Sequence, residues 1–266
     1  MLAKDKKVKI SIITVAFNAE QTIEDCIKSV LKQTYKNIEY IIIDGKSTDL
    51  TLDKIKNTLN QFPKIDIQIV SEKDDGIYFA MNKGIALATG EVVGILNADD
   101  IYANDSVLEK VMSRFNSNST DAVYGDLVYT KNNNLQKVVR YWKSGIYKKK
   151  SFLYGWMPPH PTFFVRKSIY NQFGAFNTKL KSAADYELML KFIHKNKIKL
   201  DYIPEILVKM RAGGQSNSSI NNRVNANNED KKAWELNNLE PYFFTMILKP
   251  FRKIFQFINR PTQINS

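Results

Sequence analysis

Apolar runs and helix-spaced apolar positions alternate through the first hundred residues of the chain. The runs are apolar almost without interruption, which predicts strands that are buried on both faces of a sheet. Between the runs, apolar side chains recur every three or four residues, which predicts helices. The predicted strands are, in chain order, VKISIITVAF, IEYIIID, IDIQIVS and EVVGILN. This alternation predicts an α/β fold with a mostly parallel sheet flanked by helices.

Beyond residue 100 the pattern is less regular. A hairpin is predicted where the turn KNNN joins DAVYGDLVYT to LQKVVRYW. The aromatic, basic and proline-bearing segment 143–160 is predicted to be an active-site loop. Helices are predicted near 104–115, 166–173, 185–195 and 224–240, and also over GIYFAMNKGIALATG, with Gly90 at its C-cap.

The chain of 266 residues fits one α/β domain with an appendage better than two equal domains. The predicted domain covers residues 1–215, with halves at about 8–100 and 101–215, and residues 216–266 form a C-terminal helical extension. The single cysteine, Cys26, excludes an intrachain disulfide and agrees with a reducing cytosol. Cys26 is expected to be a small buried side chain on a helix.

The charge balance suits an anionic partner, because 39 Lys and Arg against 27 Asp and Glu give a formal charge of +12. The sequence shows neither zinc-finger spacing nor an RNP-like aromatic motif, so nucleic acid is not the predicted partner. It also shows no signal peptide and no apolar stretch of about 18 residues. The protein is therefore expected in the cytoplasm or at the inner face of the plasma membrane.

Three of the predicted strands end in polar residues, at 16–18, 44–47 and 97–100. In an open parallel sheet, ligands bind beyond the carboxyl ends of the strands, so these ends predict one shared site. Asp44 follows Ile43 at one of them. It can begin a turn, or it can accept hydrogen bonds from a nucleobase N–H or from ribose hydroxyls, and its position leaves both interpretations open.

The adjacent acids Asp99 and Asp100 follow another buried strand. Two neighbouring carboxylates repel each other, so a cation is expected near them. A divalent cation takes oxygen ligands and can also hold a diphosphate, which makes metal binding the favoured interpretation. The alternative is a turn with an N-cap for the next helix, which would use only one of the two acids.

The same segments resemble a known family. SIITVAFNAEQTIEDCIKSVLKQTY, EYIIIDGKSTDLT and DDGIYFAMNKGIALATGEVVGILNADD together resemble family 2 glycosyltransferases of the Rossmann-like GT-A fold, in particular the colanic-acid and capsule type. The similarity covers about residues 8–215. It implies inverting transfer from a nucleoside diphosphate sugar, with a UDP-linked sugar expected, and a divalent cation, Mn²⁺ or Mg²⁺. Residues 8–100 then form the nucleotide-binding half and 101–215 the acceptor half.

The resemblance also implies a donor site along the strand ends. Asp44 matches the acid that binds the base or ribose. Asp99 matches the last position of the D-x-D motif and becomes the principal metal ligand, with Asp100 beside it, while Asn97 replaces the first Asp. The other donor-site residues that the resemblance implies are Ala16, Phe17, Asn18, Asp74, Asn82, Lys83 and Ala98.

Asp185 is the predicted catalytic base. It lies in the segment SAADYE, which resembles the helix-opening motif whose acid activates the acceptor hydroxyl. A sugar hydroxyl is a poor nucleophile until its proton is being removed, so an inverting displacement needs one such carboxylate. Without the resemblance, Asp185 is an acid that favours a helix N-terminus. Glu187 is predicted to point elsewhere.

Two further segments are candidates for ligand contact. His160 stands between prolines, and a lone histidine is more often structural. The resemblance to a His-x-x-x-Phe stretch implies contact with phosphate or acceptor. In segment 211–216, the backbone N–H groups at Gly213 and Gly214 can face a diphosphate, and a flexible linker is the alternative. His194, at a Lys-rich helix end, is predicted to lie at the surface.

The chain from Tyr242 onward is basic and contains no acid. Apolar residues recur there at helical spacing. This pattern predicts a basic amphipathic helix on an anionic membrane, or a helix that packs on its own domain or on a second subunit of a homodimer. A membrane contact would suit a lipid-linked acceptor.

The sequence thus predicts a glycosyltransferase of surface polysaccharide synthesis that acts on a hydroxyl of a glycan or lipid-linked acceptor. A sugar-1-phosphate nucleotidyltransferase is disfavoured, because ITVAFNAEQT lacks a Gly-rich phosphate loop with Arg and Lys. A non-catalytic nucleotide-sugar-binding or scaffold subunit is the alternative, since Asn97 removes one expected carboxylate.

Overall fold

The computed structural model describes residues 7–62, 65–117, 119–213, 220–258 and 260–261. Its first half alternates strands and helices as expected. These elements are β1 (Ile10–Ala16), α1 (Ile23–Leu31), β2 (Ile38–Asp44), α2 (Thr51–Leu59), β3 (Asp66–Ser71), α3 (Ile77–Leu87) and β4 (Val92–Ile95).

The second half contains shorter and more varied elements. They are β5 (Asp100–Tyr102), α4 (Val107–Ser117), β6 (Ala122–Lys131), β7 (Asn134–Trp142), β8 (Phe164–Arg166), α5 (Lys167–Phe173), α6 (Ala184–Met189), β9 (Leu200–Arg211), α7 (Ile220–Leu236) and α8 (Thr245–Ile258). The predicted hairpin is confirmed, because β6 and β7 pair antiparallel. α6 continues as a π-helical segment, Leu190–Lys195, and 3₁₀ turns occupy Ser151–Tyr154 and His160–Thr162.

The described strands form one mixed sheet in the order β3-β2-β1-β4-β8-β6-β9-β5, and β7 pairs with β6. β1 to β4 run parallel, as do β6 and β9. β8 lies antiparallel between β4 and β6, and β5 pairs antiparallel with β9. The α/β fold class is confirmed, and the second half adds antiparallel strands to the parallel sheet that was expected.

The strand order reverses at β1, because the chain builds β2 and β3 on one side and returns to place β4 on the other. Ligands bind beyond the carboxyl ends of strands at such a point. The Gly45 N–H donates to the Ala16 carbonyl at 2.8 Å, and the Ala98 N–H donates to the Val15 carbonyl at 3.2 Å. The loops after β2 and β4 therefore both start beside the end of β1.

The central strands place their side chains alternately in two buried layers. Ile13 and Ile41 pack with α3 and α6 on one face of the sheet, and Ile12 and Ile42 pack with α1 and α4 on the other. All four are fully buried. Burial of each such side chain contributes about 1.5–3 kcal/mol. This two-sided burial explains why β1, β2 and β4 read as continuous apolar runs. The same prediction is wrong for β3, because this strand lies at the edge of the sheet and its side chains are exposed or only partly buried.

The predicted C-cap role of Gly90 is wrong. α3 ends at Leu87, and the Ala88 N–H closes it by donating to the Gly84 carbonyl at 3.0 Å. Gly90 instead lies against β1, where its N–H donates to Ser11 Oγ at 2.9 Å. A Cβ at Gly90 would lie 2.7 Å from the Ser11 backbone nitrogen. Close backbone approach, rather than a helix end, is the reason for glycine here.

The surface position predicted for His194 is also wrong. This histidine is half-buried, and its ring centroid lies 5.9 Å from that of Phe152 and 5.4 Å from that of Trp234. Trp234 belongs to α7 and is fully buried. The C-terminal extension therefore covers a helix end whose Lys-rich composition is typical of a solvent-facing surface.

The last helix, α8, packs on β7 and on the 3₁₀ turn at 151–154. Thr245 Oγ1 donates to the Leu153 carbonyl at 2.6 Å, and Arg140 Nε donates to Gln256 Oε1 at 2.7 Å. The tail thus contacts its own domain, which is one of the expected alternatives. In the described part of the chain, no helix combines the length and the apolar character that a membrane span needs.

Candidate functional site

The loops that follow β1 and β2 are hydrogen-bonded to each other. Asn18 has a φ of 47°, its N–H donates to Ser47 Oγ at 2.8 Å, and its Oδ1 accepts from the Thr48 N–H at 2.9 Å. Ala16 is buried, whereas Phe17 is 61 % exposed. Asn18 therefore positions the loops, and the Phe17 ring offers an apolar face on which a nucleobase can stack.

Asp44 ends β2 and is fully buried. Its carboxylate accepts hydrogen bonds from the Ser47 N–H at 3.1 Å, the Ser47 hydroxyl at 2.5 Å and the Ser71 hydroxyl at 2.6 Å. A carboxylate has about four acceptor positions, so one more hydrogen bond can be accepted. Contact with a base or ribose requires the loop at 45–47 to move, and this role of Asp44 stays a prediction.

Lys83 on α3 joins two acids of the segment that precedes this helix. Its Nζ lies 2.7 Å from Asp74 Oδ1 and 2.6 Å from Glu72 Oε1. Burial lowers the pKa of Lys83, but the hydrogen bonds and charges of the two acids outweigh it and raise the pKa overall. Asp74 Oδ2 is buried without a hydrogen-bond partner. The structure thus brings Asp74 and Lys83 together and leaves one oxygen of Asp74 free to accept.

Asn82 pairs with the backbone after α5. Its Nδ2 donates to the Phe176 carbonyl at 2.9 Å, and its Oδ1 accepts from the Phe176 N–H at 2.9 Å. This pair ties α3 to the segment that leads to α6. A donor contact by Asn82 remains a prediction, and the pairing disfavours it, because both polar ends of the amide are already engaged.

The residues after β4 form a turn that leads into β5. The Asp100 N–H donates to the Asn97 carbonyl at 3.0 Å, and Asn97 Nδ2 lies 3.4 Å from Asp100 Oδ2. Asp100 is fully buried. Burial raises the pKa of Asp100 well above its usual value and the charge of Asp99 raises it further, while Asn97 and Arg211 oppose this. Two neighbouring carboxylates in this position raise the free energy of the folded state unless a cation neutralises them.

Two oxygen atoms of this turn, Asn97 Oδ1 and Asp100 Oδ1, are buried without a hydrogen-bond partner. Buried acceptors normally have one, and a hard divalent cation prefers oxygen ligands of this kind. Asp99 is half-buried, and burial raises its pKa although its own backbone N–H and Arg211 oppose the shift. Within the described ranges, no three His, Cys, Asp or Glu side chains cluster to hold a metal. These residues fit a cation that takes its other ligands from a diphosphate and water.

Arg211, the last residue of β9, has a role that sequence analysis did not identify. Its Nη1 donates to the Asp99 carbonyl at 3.0 Å, and its Nη2 lies 2.6 Å from Asp25 Oδ2. Arg211 therefore ties the turn at 97–100 to α1 and brings a positive charge close to both acids. No local pattern signals it, because these partners are 112 and 186 residues away.

Asp185 lies half-buried in the first turn of α6. The Tyr78 hydroxyl of α3 donates to Asp185 Oδ1 at 3.4 Å. Burial raises the pKa of Tyr78 and the charge of Asp185 adds to this, while the N–H groups of Asp185 and Ala184 oppose it. Tyr78 therefore stays a neutral donor that holds the start of α6. The sequence motif Gly-Ile-Tyr contained this residue but did not indicate its partner.

His160 lies close to the same helix end and is 9 % exposed. Its ring packs edge-on against Phe176, with centroids 5.4 Å apart, and Phe176 also stacks on Tyr78 at 5.5 Å. Burial lowers the pKa of His160, and the charge of Asp185 opposes this. A buried imidazole thus lies within electrostatic range of the predicted base. Glu187 points elsewhere, as expected, with its Oε1 3.1 Å from Asn237 Nδ2.

The charges of Asp100 and Asp185 both reach Tyr129 on β6. Burial raises the pKa of Tyr129 on β6, Arg140 opposes this, and the charges of Asp100 and Asp185 raise it further. Both acids therefore lie within electrostatic range of one phenol. The remaining predicted site residue, Gly214, lies outside the described residues.

The family model of glycosyl transferase family 2 matches residues 11–174 of the chain. This protein belongs to glycosyl transferase family 2. The matched segment contains the loops after β1, β2 and β4, together with Tyr78 and His160. Membership makes the chain a glycosyltransferase, as the sequence motifs indicated.

Individual relatives agree with the family. This glycosyltransferase is 27 % identical over 212 residues to the PGL/p-HBAD biosynthesis glycosyltransferase of Mycobacterium tuberculosis. The aligned segment covers 79 % of this chain and 80 % of that protein. Its fold matches S. aureus TarS 1–349 in complex with UDP-GlcNAc with a TM-score of 0.66 and 18 % identity, covering 86 % of this chain and 65 % of that one. The Pyrobaculum calidifontis mannosyltransferase PcManGT, in complex with GDP-Man and Mn²⁺, matches with a TM-score of 0.66 and 17 % identity. That match covers 92 % of this chain and 69 % of the PcManGT chain. These similarities confirm the GT-A fold.

Proposed function

We propose that this glycosyltransferase moves a sugar from a nucleoside diphosphate sugar, most simply a UDP-sugar, to a hydroxyl of a glycan or lipid-linked acceptor in surface polysaccharide synthesis. Transfer inverts the configuration at the anomeric carbon, and Asp185 is the base that removes the proton of the acceptor hydroxyl. One observation carries the proposal. Asp185 lies half-buried in the first turn of α6 and accepts a hydrogen bond from the Tyr78 hydroxyl at 3.4 Å.

In the proposed step, the acceptor oxygen forms a bond to the anomeric carbon while the bond from that carbon to the diphosphate oxygen breaks. The hydroxyl proton passes to Asp185, and the electron pair of the broken bond leaves with the nucleoside diphosphate. Tyr78 donates to Oδ1 of Asp185, so Oδ2, which lacks that hydrogen bond, is the more basic oxygen and accepts the proton. General-base assistance of this kind contributes about 10²–10⁴-fold to a rate.

The donor half of the proposal uses the loops at the strand ends. The exposed Phe17 ring stacks on the nucleobase, and Asp44 accepts from the base or ribose after its loop has moved. The free Oδ2 of Asp74 accepts a hydrogen bond from a hydroxyl of the donor sugar nucleotide. The UDP-GlcNAc in the TarS structure supports a UDP-linked donor, and the GDP-Man in the PcManGT structure supports the broader class of nucleotide sugars.

Asp99 and Asp100 would hold a divalent cation, Mn²⁺ or Mg²⁺, with Asn97 Oδ1 available beside them. When bound, such a cation neutralises the diphosphate and makes it a better leaving group. Arg211 positions this turn through the Asp99 carbonyl. The Mn²⁺ in the PcManGT structure supports this assignment.

A non-catalytic nucleotide-sugar-binding or scaffold subunit is the second candidate. The observation in its favour is Asn97, which stands where the resemblance to the family implies a carboxylate. The two candidates differ in whether the nucleoside diphosphate is released.

The test is nucleoside diphosphate release from a panel of UDP- and GDP-sugars, with short glycans and lipid-linked acceptors, with and without Mn²⁺. The control is Asp53→Asn, which changes an exposed acid of α2. The transferase is supported if the wild type and Asp53→Asn release nucleoside diphosphate and Asp185→Asn does not. Saturable donor binding without release under every condition refutes transfer and supports the binding subunit.

A further inference from the structure

Three polar side chains of helix α8 face the domain, together with the partly buried Met246. Thr245, Lys249 and Gln256 make the hydrogen bonds and the ion pair that hold it there. Lys249 lies 2.6 Å from Asp230 Oδ1, and both side chains are largely buried. A helix on the surface of a water-soluble domain normally does the opposite and buries its apolar side.

The outward side of this region carries an apolar stripe, which consists of Phe243, Ile247, Phe251, Ile254 and Ile258. Each member follows the previous one by three or four residues, so the members that lie on α8 share one side of the helix. Their exposed fractions are 91 %, 54 %, 55 %, 53 % and 69 %. Exposed apolar patches of this kind mark interaction sites.

Exposed cations occur on α8 and in the segment on which it packs. Arg252 and Lys253 belong to α8 itself, and Arg260 follows it. Lys148, Lys149 and Lys150 are exposed directly before the 3₁₀ turn on which α8 packs. The chain contains no acid after Glu240 to oppose them. An apolar stripe on a helix that carries cations and no acid matches the boundary between lipid headgroups and acyl chains.

We propose that the apolar stripe docks this protein on an anionic lipid bilayer. The stripe inserts at the headgroup boundary, and the neighbouring cations contact lipid phosphates. Charge complementarity selects this occupant over a second copy of the chain. A two-fold interface would bring the same cations of both copies together, and like charges oppose such pairing.

The docking also assigns an acceptor class, and this part rests on the proposed function. Lys249 Nζ of α8 lies 3.5 Å from the centroid of the Tyr186 ring, and Tyr186 is the residue after the base. The centroid of the Phe152 ring, within the 3₁₀ turn under α8, lies 6.0 Å from that of the same tyrosine ring. The membrane-facing helix therefore contacts the base-bearing helix, which suits an acceptor anchored in the bilayer.

The test is co-sedimentation of the full chain with phosphatidylcholine vesicles that contain or lack phosphatidylglycerol. We expect binding to the anionic vesicles only. Substitution of Phe251 and Ile254 by Ser removes two inserted side chains and lowers the partition coefficient by more than about tenfold. The matched control is Leu50→Ser at a residue that is 58 % exposed next to α2, and it binds as the wild type does.

A second variant keeps the test valid if the stripe variant misfolds. Replacement of Lys148, Lys149 and Lys150 by Gln leaves α8 intact and lowers partitioning by about fivefold per charge. Binding that is equal in wild type and both variants, or absent on anionic vesicles, overturns the proposal. The proposal is also overturned if the wild type does not bind vesicles but forms a dimer in light scattering, and if the Ser variant abolishes that dimer. With a water-soluble acceptor, the Ser variant is expected to release nucleoside diphosphate at the wild-type rate. This result distinguishes loss of membrane docking from loss of sugar transfer.

Discussion

The substitution Asp185→Asn removes the proposed base while changing the start of α6 very little. Asn has nearly the size of Asp, and its side-chain carbonyl can still accept the Tyr78 hydroxyl that now lies 3.4 Å from Oδ1. Loss of an acid from the first turn of a helix costs about 0.3–1 kcal/mol through the helix dipole. The fold is therefore expected to survive, and the effect on transfer is chemical.

The expected loss of turnover is about 10²–10⁴-fold, the usual contribution of a general base. In energy this is about 3–5.5 kcal/mol, at about 1.4 kcal/mol per factor of ten. His160 is the neighbouring group that could replace Asp185 as a base. Since the charge of Asp185 raises the pKa of His160 against the effect of burial, its removal lowers that pKa. A lower pKa makes His160 a weaker base, so rescue is expected to be small.

The assay compares initial rates of nucleoside diphosphate release at saturating donor and acceptor, alongside donor affinity measured by calorimetry. Donor affinity is expected to stay within about twofold, because a general base acts on the acceptor proton. Asp53→Asn is the control for loss of one carboxylate far from α6. A turnover of Asp185→Asn within tenfold of the wild-type rate refutes the assignment of the base.

Three other predictions concern the metal site, the packing of α3 and the buried thiol. Asp99→Ala is expected to abolish Mn²⁺-dependent donor binding in calorimetry, and binding that chelator leaves unchanged in the wild type contradicts the metal role. Gly84→Ala is expected to destabilise the protein by about 1–3 kcal/mol in urea unfolding, because its Cβ would lie 2.4 Å from Ile13 Cγ2; an unchanged midpoint would show that α3 can shift at no cost. Burial raises the pKa of Cys26 to about 12, so this thiol is protonated at pH 8 and is expected to react with a disulfide reagent only in denaturant. Fast labelling of the native protein argues against that burial.

Sequence reasoning located elements well where the signal was local. β1, β2 and β4 were visible as apolar runs because both faces of each strand are buried, and no turn interrupts them. It failed where a residue serves a distant contact. Gly90 followed a helical pattern and was assigned to the helix end, although glycine is required there because the Ser11 backbone of β1 lies too close for a Cβ. The three-residue strands β5 and β8 are too short to show a period, and only their partners in the sheet define them.

The sequence by itself determined the alternation of strands and helices, the polar strand ends and the basic, apolar character of the tail. Each is a local property, because side-chain periodicity and loop chemistry are set by neighbours along the chain. The tertiary structure alone decided which of these residues meet. Tyr78 reaches Asp185 across 107 residues, and Arg211 reaches Asp25 across 186. It also decided the direction in which α8 faces: the periodicity predicted two sides, but only packing on β7 could show that the apolar side is the one left exposed.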